Sequence, residues 1–289
     1  MPELPEVETV VRQLRKMVSN ENISNIQILD AKISLPDSCR LHGYEIRDVE
    51  RSGKFILLQL SAPPGKQAAK DKNATIAVHL RMTGRLIWEP RGEERLFQAR
   101  QMKSSADAKE RNHVRVCITC RGGQLLFVDT RRFGTMEIIN QDGKLCSGLE
   151  PLAEEFTASK LGEIIGSSKQ PIKTWLLRQD KILGIGNIYA SEILFAARIN
   201  PEQPVNDLSA KQLSAIVRQT RRILNLAIEN CGTTFSDFQN ARGEIGNYQN
   251  YLKVYNREAE ACTRCKTAII RSVQGGRSTY FCPQCQPLI

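Results

Sequence analysis

A chain of 289 residues with 41% apolar content is long enough for two domains and able to bury an ordinary core. Its 41 lysines and arginines against 31 aspartates and glutamates leave a net charge of +10, which points to a polyanionic partner, most economically nucleic acid, although charge alone does not separate nucleic acid from an anionic membrane. No uncharged apolar run approaches the ~18 residues of a membrane span and the acidic start is the opposite of a signal peptide's, so a cytosolic protein is expected. In such a reducing compartment nine cysteines, an odd number, suit metal ligation plus buried thiols better than a disulfide framework.

The chain opens Met1-Pro2-Glu3-Leu4-Pro5-Glu6-Val7-Glu8. Removal of Met1, expected before a residue as compact as proline, exposes the secondary amine of Pro2 beside the carboxyl of Glu3. An α-amino group titrates near ~8 against ~10.4 for a lysine, so part of it is uncharged at neutral pH and able to attack an electrophilic carbon such as a sugar C1′. The plain alternative is a stiffened helix entry, with Pro5 at the first position and Glu6 and Glu8 favourable to the positive end of the helix dipole. Val7, Val10, Val11, Leu14 and Val18 then recur at helical spacing, predicting an amphipathic helix that ends near Ser19-Asn20. Short β-prone runs follow at 23–29, 45–50, 54–60, 75–80, 86–88, 114–120, 124–129 and 135–139, a density that suggests a sandwich or barrel. The charged stretch between Trp88 and Asn112 reads as a loop.

Two clusters stand at turns after strands, His79-Leu80-Arg81-Met82-Thr83-Gly84 and Asp129-Thr130-Arg131-Arg132-Phe133-Gly134. Met82 or Phe133 suits filling the gap left by an unstacked base, and Arg131 suits bonding the orphaned partner base, with Arg132 counted among the DNA contacts. The alternative places Met82 and Phe133 in the core. The pair Cys117 and Cys120 has metal-like spacing but lies in an alternating run, where an odd separation sends the two side chains to opposite faces of a strand. Cys39, Cys146 and Cys231 are isolated, and His42, His79 and His113 are too scattered to cluster, so all are read as structural or surface residues.

After residue 140 the pattern becomes helical, with helices expected at 158–165, 171–181, 188–197 and 210–230, the last opening on a Ser209-x-x-Gln212 capping box. Gly184-Ile185-Gly186-Asn187 opens directly into one of them. Asn187 is the expected cap, and free N–H groups there, with Lys173 and Lys181 nearby, suit an anion such as a phosphate. Finally, Cys262-x-x-Cys265 and Cys282-x-x-Cys285 flank residues 266–281, the spacing of a four-cysteine zinc ribbon. Between them 267–273, Gly275-Gly276 and 278–281 read as strand, turn and strand. Four thiolates leave no position for water, so one structural zinc is expected, with Arg277 held out at the turn for phosphate contact.

Taken with Gly-Asn-Ile-Tyr-Ala-x-Glu at 186–192 and Gly276-Arg277-Ser278-Thr279, these residues closely resemble the formamidopyrimidine-DNA glycosylase family over nearly the whole chain. The resemblance implies an α+β fold: an N-terminal helix with an antiparallel β-sandwich at 1–140, a linker at 141–155, a helix-two-turns-helix domain at 156–254 and a zinc ribbon at 255–289. It implies a monomeric enzyme that excises oxidised purines such as 8-oxoguanine from duplex DNA and cleaves the abasic site by β- and δ-elimination. Pro2 is then the Schiff-base nucleophile and Glu3 the acid/base group. Lys54, Asn187 and Arg277 match phosphate contacts, Glu6 and Glu192 match acids lining the site, and 239–251 matches a lesion-capping loop.

Departures fall at Thr130, where proline is common, at Asn256, where glycine is common, and in the charged insertion before Asn112. The sister endonuclease VIII branch, which prefers oxidised pyrimidines, opens Gly-Pro-Glu where this chain has Leu4-Pro5-Glu6. A third reading is a zinc protein that binds damaged DNA without cutting it.

Overall fold

The computed structural model describes residues 1–36, 38–65, 73–93, 112–139, 145–234 and 238–288, so most of the charged insertion lies outside the described residues. The chain divides into two compact units. One contains Met1–Pro2, Glu6–Lys144 and Thr233–Gly246; the other contains Glu3–Pro5, Leu145–Gly232 and Asn247–Ile289.

The part of α1 (Leu4–Val18) that belongs to the first unit, from Glu6 onward, puts Val7, Val10, Val11, Leu14 and Val18 into its core, as their spacing requires. Eight strands follow: β1 (Glu21–Ile28), β2 (Glu45–Ser52), β3 (Phe55–Ser61), β4 (Asn73–His79), β5 (Gly84–Pro90), β6 (Val114–Cys120), β7 (Gly123–Asp129) and β8 (Thr135–Ile139). They pair antiparallel in the order β5-β7-β6-β1-β2-β3-β4-β8. β1 and β2 meet only at Glu21↔Ile46 and Asn22↔Glu45, so the ladder falls into two four-stranded layers joined at that corner. Ile56, Leu58 and Leu60 on β3 share one core with Val116, Ile118, Leu125 and Phe127 on β6 and β7. This is the expected antiparallel sandwich; β3 buries alternate residues, whereas β4, β5 and β7 bury nearly continuous runs.

Cys120 faces that core, whereas Cys117 packs with Ile87, Leu126 and Val128 in a separate cluster, so the two thiols lie on opposite faces. The segment 238–246 is tied to the same unit. Phe238 and Ala241 enter the core, Ala241 N donates to Gln13 Oε1 at 3.0 Å, and Ala241 O accepts from Trp88 N at 3.3 Å. The front of the expected lesion-capping loop is therefore pinned to α1 and β5.

The second unit contains α2 (Ala158–Ile165), α3 (Ile172–Leu176), α4 (Asn187–Ala197) and α5 (Ala210–Glu229) around a core of Trp175, Tyr189, Ile193, Leu194, Ile216 and Leu224. The Ser209–Gln212 capping box forms at the start of α5 as expected. The expected helix at 171–181 is shortened to α3. Beyond it Gln179 donates from its side chain to Leu177 O and Ile185 O and accepts from Gly184 N, bonds that fold 177–185 into turns instead of a further helical turn. Residues 145–156 pack here as well, Leu149 exchanging backbone bonds with Lys181 and Leu183 at 2.8 and 3.0 Å.

The chain ends in a hairpin of β9 (Ile270–Gln274) and β10 (Arg277–Phe281), shorter on the β9 side than expected. Gly275 and Gly276 have φ of 55° and 73°, the two left-handed residues that a tight two-residue hairpin turn needs. Asn256, where the resemblance leads one to expect glycine, adopts φ 60°, a conformation that asparagine tolerates better than most residues. Among the described residues no helix is long and apolar enough to cross a membrane.

Candidate active site

The N-terminal residues are built into the second unit through Glu3 and Leu4. Leu4 N donates to Gly184 O at 3.0 Å, and the Glu3 carboxylate accepts from Ile188 N at 3.0 Å and from Tyr189 N at 3.3 Å. The expected cap of α4 is thereby corrected. Gly186 is the N-cap residue without a side-chain bond, and Asn187 is the first helical residue, its Nδ2 donating to Ser278 O at 2.9 Å. Glu3 supplies the capping oxygens from the far end of the sequence, and two of the N–H groups expected to face a phosphate are bound to it.

Both glycines of this turn are required by that contact. A Cβ on Gly186 would lie 2.3 Å from Glu3 Cδ, and one on Gly184, whose φ is 78°, would lie 2.7 Å from Leu4 Cβ. Pro2, directly before the anchored Glu3, is buried while Met1 is exposed.

Two further carboxylates act as brackets. Glu192 is buried, and its oxygens accept from Lys253 N, Val254 N and Tyr255 N at 2.9–3.0 Å, which fixes the chain entering the ribbon. Burial raises its carboxyl pKa in spite of those N–H groups. Glu6, equally buried, accepts from Thr233 N at 2.7 Å in the first unit. Both acids hold backbone.

Lys173 is a second correction. Expected to contact DNA, it is instead fully buried and donates to Ser278 O at 3.0 Å and Thr279 Oγ1 at 2.7 Å, bracing β10 next to Arg277. Burial pulls its pKa down to about 8, with Arg277 adding to the shift and Glu3 opposing it. Arg277 itself is exposed at the start of β10.

The four ribbon sulfurs lie within 4.8 Å of one another, with Cys262–Cys285 at 3.9 Å and Cys265–Cys282 at 3.4 Å. Zinc–sulfur bonds of ~2.3 Å in a tetrahedron set sulfurs ~3.8 Å apart, so the cluster fits that ion. It is the metal-type cluster found among the described residues, and the Cys117 pair is not part of it.

In the first unit, Met82 and Phe133 are 40% and 53% exposed at their turns, outside the core. Arg131 lies over the Phe133 ring at 5.0 Å from its centroid. Arg132 departs from the sequence reading: its guanidinium is held by Asp30, Nε to Oδ2 at 2.6 Å and Nη2 to Oδ1, so it is engaged within the protein.

Lys54 stands in the two-residue turn between β2 and β3, where Gly53 takes φ 57°. Arg51, ion-paired with Glu8 at 2.8 Å, donates to Gly53 O and fastens that turn. The register Phe55↔His79 brings His79, whose place in the sequence does not mark it for a site, beside Lys54. The His79 ring meets Phe55 edge-on, and its Nδ1 accepts from Arg81 N at 3.0 Å, leaving Nε2 as the donor of a neutral ring. Burial first, then Arg81 and Lys54, lower its pKa to about 4.

Three family profiles match in sequence: Formamidopyrimidine-DNA glycosylase N-terminal domain at 1–136, Formamidopyrimidine-DNA glycosylase H2TH domain at 147–239, and Zinc finger found in FPG and IleRS at 259–288. Formamidopyrimidine-DNA glycosylases of Synechocystis and Pelotomaculum thermopropionicum are each 37% identical, with 99% of each chain covered. The chain belongs to the formamidopyrimidine-DNA glycosylase family.

Solved structures of the family agree. The Thermus thermophilus protein superposes with a TM-score of 0.81 at 32% identity, covering 100% of both chains. The Lactococcus lactis protein in complex with DNA containing an abasic site gives 0.80 at 30% identity, covering 98% of this chain and 99% of its own. With the family's zinc finger matched and four thiolates in place, Cys262, Cys265, Cys282 and Cys285 hold one structural zinc.

Two measurements check this site. Metal analysis is expected to find one zinc per chain, and its chelation to abolish the protection of the β9–β10 amides against hydrogen exchange; a hairpin equally protected without metal would contradict the assignment. For His79, the folded pKa lies below the ordinary value, so the unfolded chain takes up a proton that the folded chain refuses. Its contribution to stability is complete above about pH 6.5 and is lost as the pH falls toward 4. Denaturant unfolding across that window is expected to show a decline that His79→Gln makes shallower.

Proposed function

We propose that the protein is a base excision repair enzyme that removes oxidised purines, 8-oxoguanine and formamidopyrimidines, from duplex DNA and then cleaves the strand as an AP lyase. The observation that carries this reading is the anchoring of Glu3 on α4, which gives the residue before it, Pro2, a defined place in a chain end that would otherwise fray.

Once Met1 is removed, the Pro2 nitrogen attacks C1′ of the damaged nucleotide and the base departs with its bonding electrons, taking up a proton. The amine gives up its proton and Glu3 protonates the ring oxygen O4′ as the sugar opens, leaving a cationic iminium between the Pro2 nitrogen and C1′. That iminium accepts the electrons released when a C2′ proton is removed and the 3′ phosphate leaves. A second elimination expels the 5′ phosphate, and hydrolysis frees the amine. Zinc takes no part in these steps; bound by its four cysteines it supplies the rigid base from which β10 presents Arg277.

Lys54 and His79 in one unit, and Asn187 and Arg277 in the other, are suited to phosphate oxygens, while Met82, Arg131 and Phe133 are suited to the space left by an extruded nucleotide. The net charge of +10 supports a duplex partner. The enzyme is read as a monomer acting in the cytosol, at the nucleoid of a bacterium, which suits its bacterial relatives and thiolate metal ligands.

Support for the purine branch comes from the opening Leu4-Pro5-Glu6 and from relatives solved with a carbocyclic 8-oxo-G and with Fapy-dG in DNA. A second reading, excision of oxidised pyrimidines, is favoured by one observation: the Lactococcus lactis relative was also solved with DNA containing an oxidised pyrimidine.

Borohydride treatment on an abasic duplex is expected to trap a covalent adduct with Met1-processed protein. Glu3→Gln keeps a carbonyl oxygen for the α4 N–H groups but cannot donate the proton, so excision of 8-oxoguanine is expected to fall by about 10²–10⁴-fold while trapping on a preformed abasic site persists. No adduct from the processed protein would leave only a DNA-binding role. Faster excision from a thymine glycol duplex than from 8-oxoguanine:cytosine would move the enzyme to the pyrimidine branch.

A further inference from the structure

The turn at 130–134, between β7 and β8, carries Arg131 and Phe133, and its geometry is held at two places within the first unit. At its ends, Asp129 accepts from Arg131 N at 3.2 Å, from Gly134 N at 2.7 Å and from the Thr83 hydroxyl, whose oxygen in turn accepts from Arg131 N at 3.1 Å. At its middle, Arg132 has φ 59°, a left-handed conformation that is uncommon for a non-glycine residue.

The side chain of this residue is gripped by Asp30. This carboxylate follows β1, its side chain is 2% exposed, and it takes the Arg132 guanidinium as a two-pronged fork. The site around Asp30 is complete. Lys32 N donates to Oδ1 at 3.0 Å, and Arg115 approaches Oδ2 at 3.5 Å while its Nε donates to Asp129 O at 2.7 Å. Asp30 therefore links the middle of the turn, through Arg115, to the residue that fixes its ends. Arg131 and Phe133 project outside this network, stacked on each other. Of two successive arginines, one is spent on orientation and the other is left to reach out.

We propose that Asp30 is a positioning residue: by holding Arg132 it fixes the turn so that Arg131 and Phe133 are presented as one unit, and recognition of the base opposite the lesion depends on that hold. This rests on the glycosylase reading given above. Asp30 touches neither substrate nor the reacting atoms in this account. Its effect is geometric, and a misplacement of ~1 Å at such a distance from the chemistry is able to cost ~10²-fold in rate.

The test uses the full-length, zinc-loaded enzyme with Asp30→Asn, Arg132→Gln and the double variant. Excision of 8-oxoguanine is measured opposite cytosine and opposite adenine, with kcat and KM separated, and borohydride trapping on a single-stranded abasic oligonucleotide is measured alongside. Asp30→Asn is expected to shrink the cytosine-over-adenine ratio by about tenfold, within the range of a charge-assisted pair acting through geometry, with trapping within about twofold of the parent. The double variant is expected to be no worse than either single one, because both remove the same contact.

Should Asp30→Asn fail to fold, Arg132→Gln reads the contact from its other side, and unchanged discrimination in that protein overturns the proposal. Unchanged discrimination in a folded Asp30→Asn enzyme overturns it equally, as does additive loss in the double variant. Absence of trapping by the parent enzyme would instead overturn the glycosylase reading itself.

Discussion

The Glu3 carboxylate on the first turn of α4 is the contact from which the rest of the second unit's site follows. A helix start leaves backbone N–H groups without intrahelical partners, and they usually take a serine, threonine, aspartate or asparagine one residue upstream. Here Gly186 occupies that place and the acceptor arrives from residue 3. Three constraints follow from it. Position 186 cannot carry a Cβ, Gly184 must leave room for Leu4, and the turn at 184–187 is closed against the N-terminal strand of chain by the Leu4–Gly184 bond. The reactive end is thus part of a packed scaffold, which is what a near-attack geometry needs from a terminus.

Four buried charges in this protein hold loops in place, through backbone or through a second side chain. Glu192 gathers the N–H groups of 253–255, Glu6 takes Thr233 N, Lys173 grips Ser278 and Thr279, and Asp30 takes Arg132. A buried charge without its partner is costly, so each of these side chains fixes its loop at one geometry. The residues these brackets present, Arg277 on the ribbon and Arg131 with Phe133 on the wedge turn, are exposed. Zinc performs the same service for β9 and β10, where the local core of Phe195, Val254 and Ile269 is small.

Elements governed by local spacing were legible in the sequence. The CxxC pairs, the valine stripe of α1, the alternation in β3 and the capping box of α5 each follow from neighbours a few residues apart. What escaped was long-range. Nothing near Asn187 signals that residue 3 caps its helix, and nothing near Lys173 signals that Ser278 and Thr279 close over it. Arg131 and Arg132 are equivalent as letters and differ only because Asp30 lies under one of them. The closeness of His79 to Lys54 is set by strand register, a quantity that belongs to the paired ladder and not to spacing along the chain. The α3 helix stopped early because the side chain of Gln179 satisfies turn backbone that helical periodicity alone assigns to a further turn.

The central claim is that the chain end anchored by Glu3 presents the nitrogen of Pro2 as the nucleophile. Tandem mass spectrometry of the borohydride-reduced protein–DNA adduct, after digestion of both components, tests it most directly. The expected product is a peptide that begins at Pro2, without Met1, and carries the reduced sugar remnant on its terminal nitrogen. A remnant on Lys54 or any other lysine, with the Pro2 peptide unmodified, would contradict it.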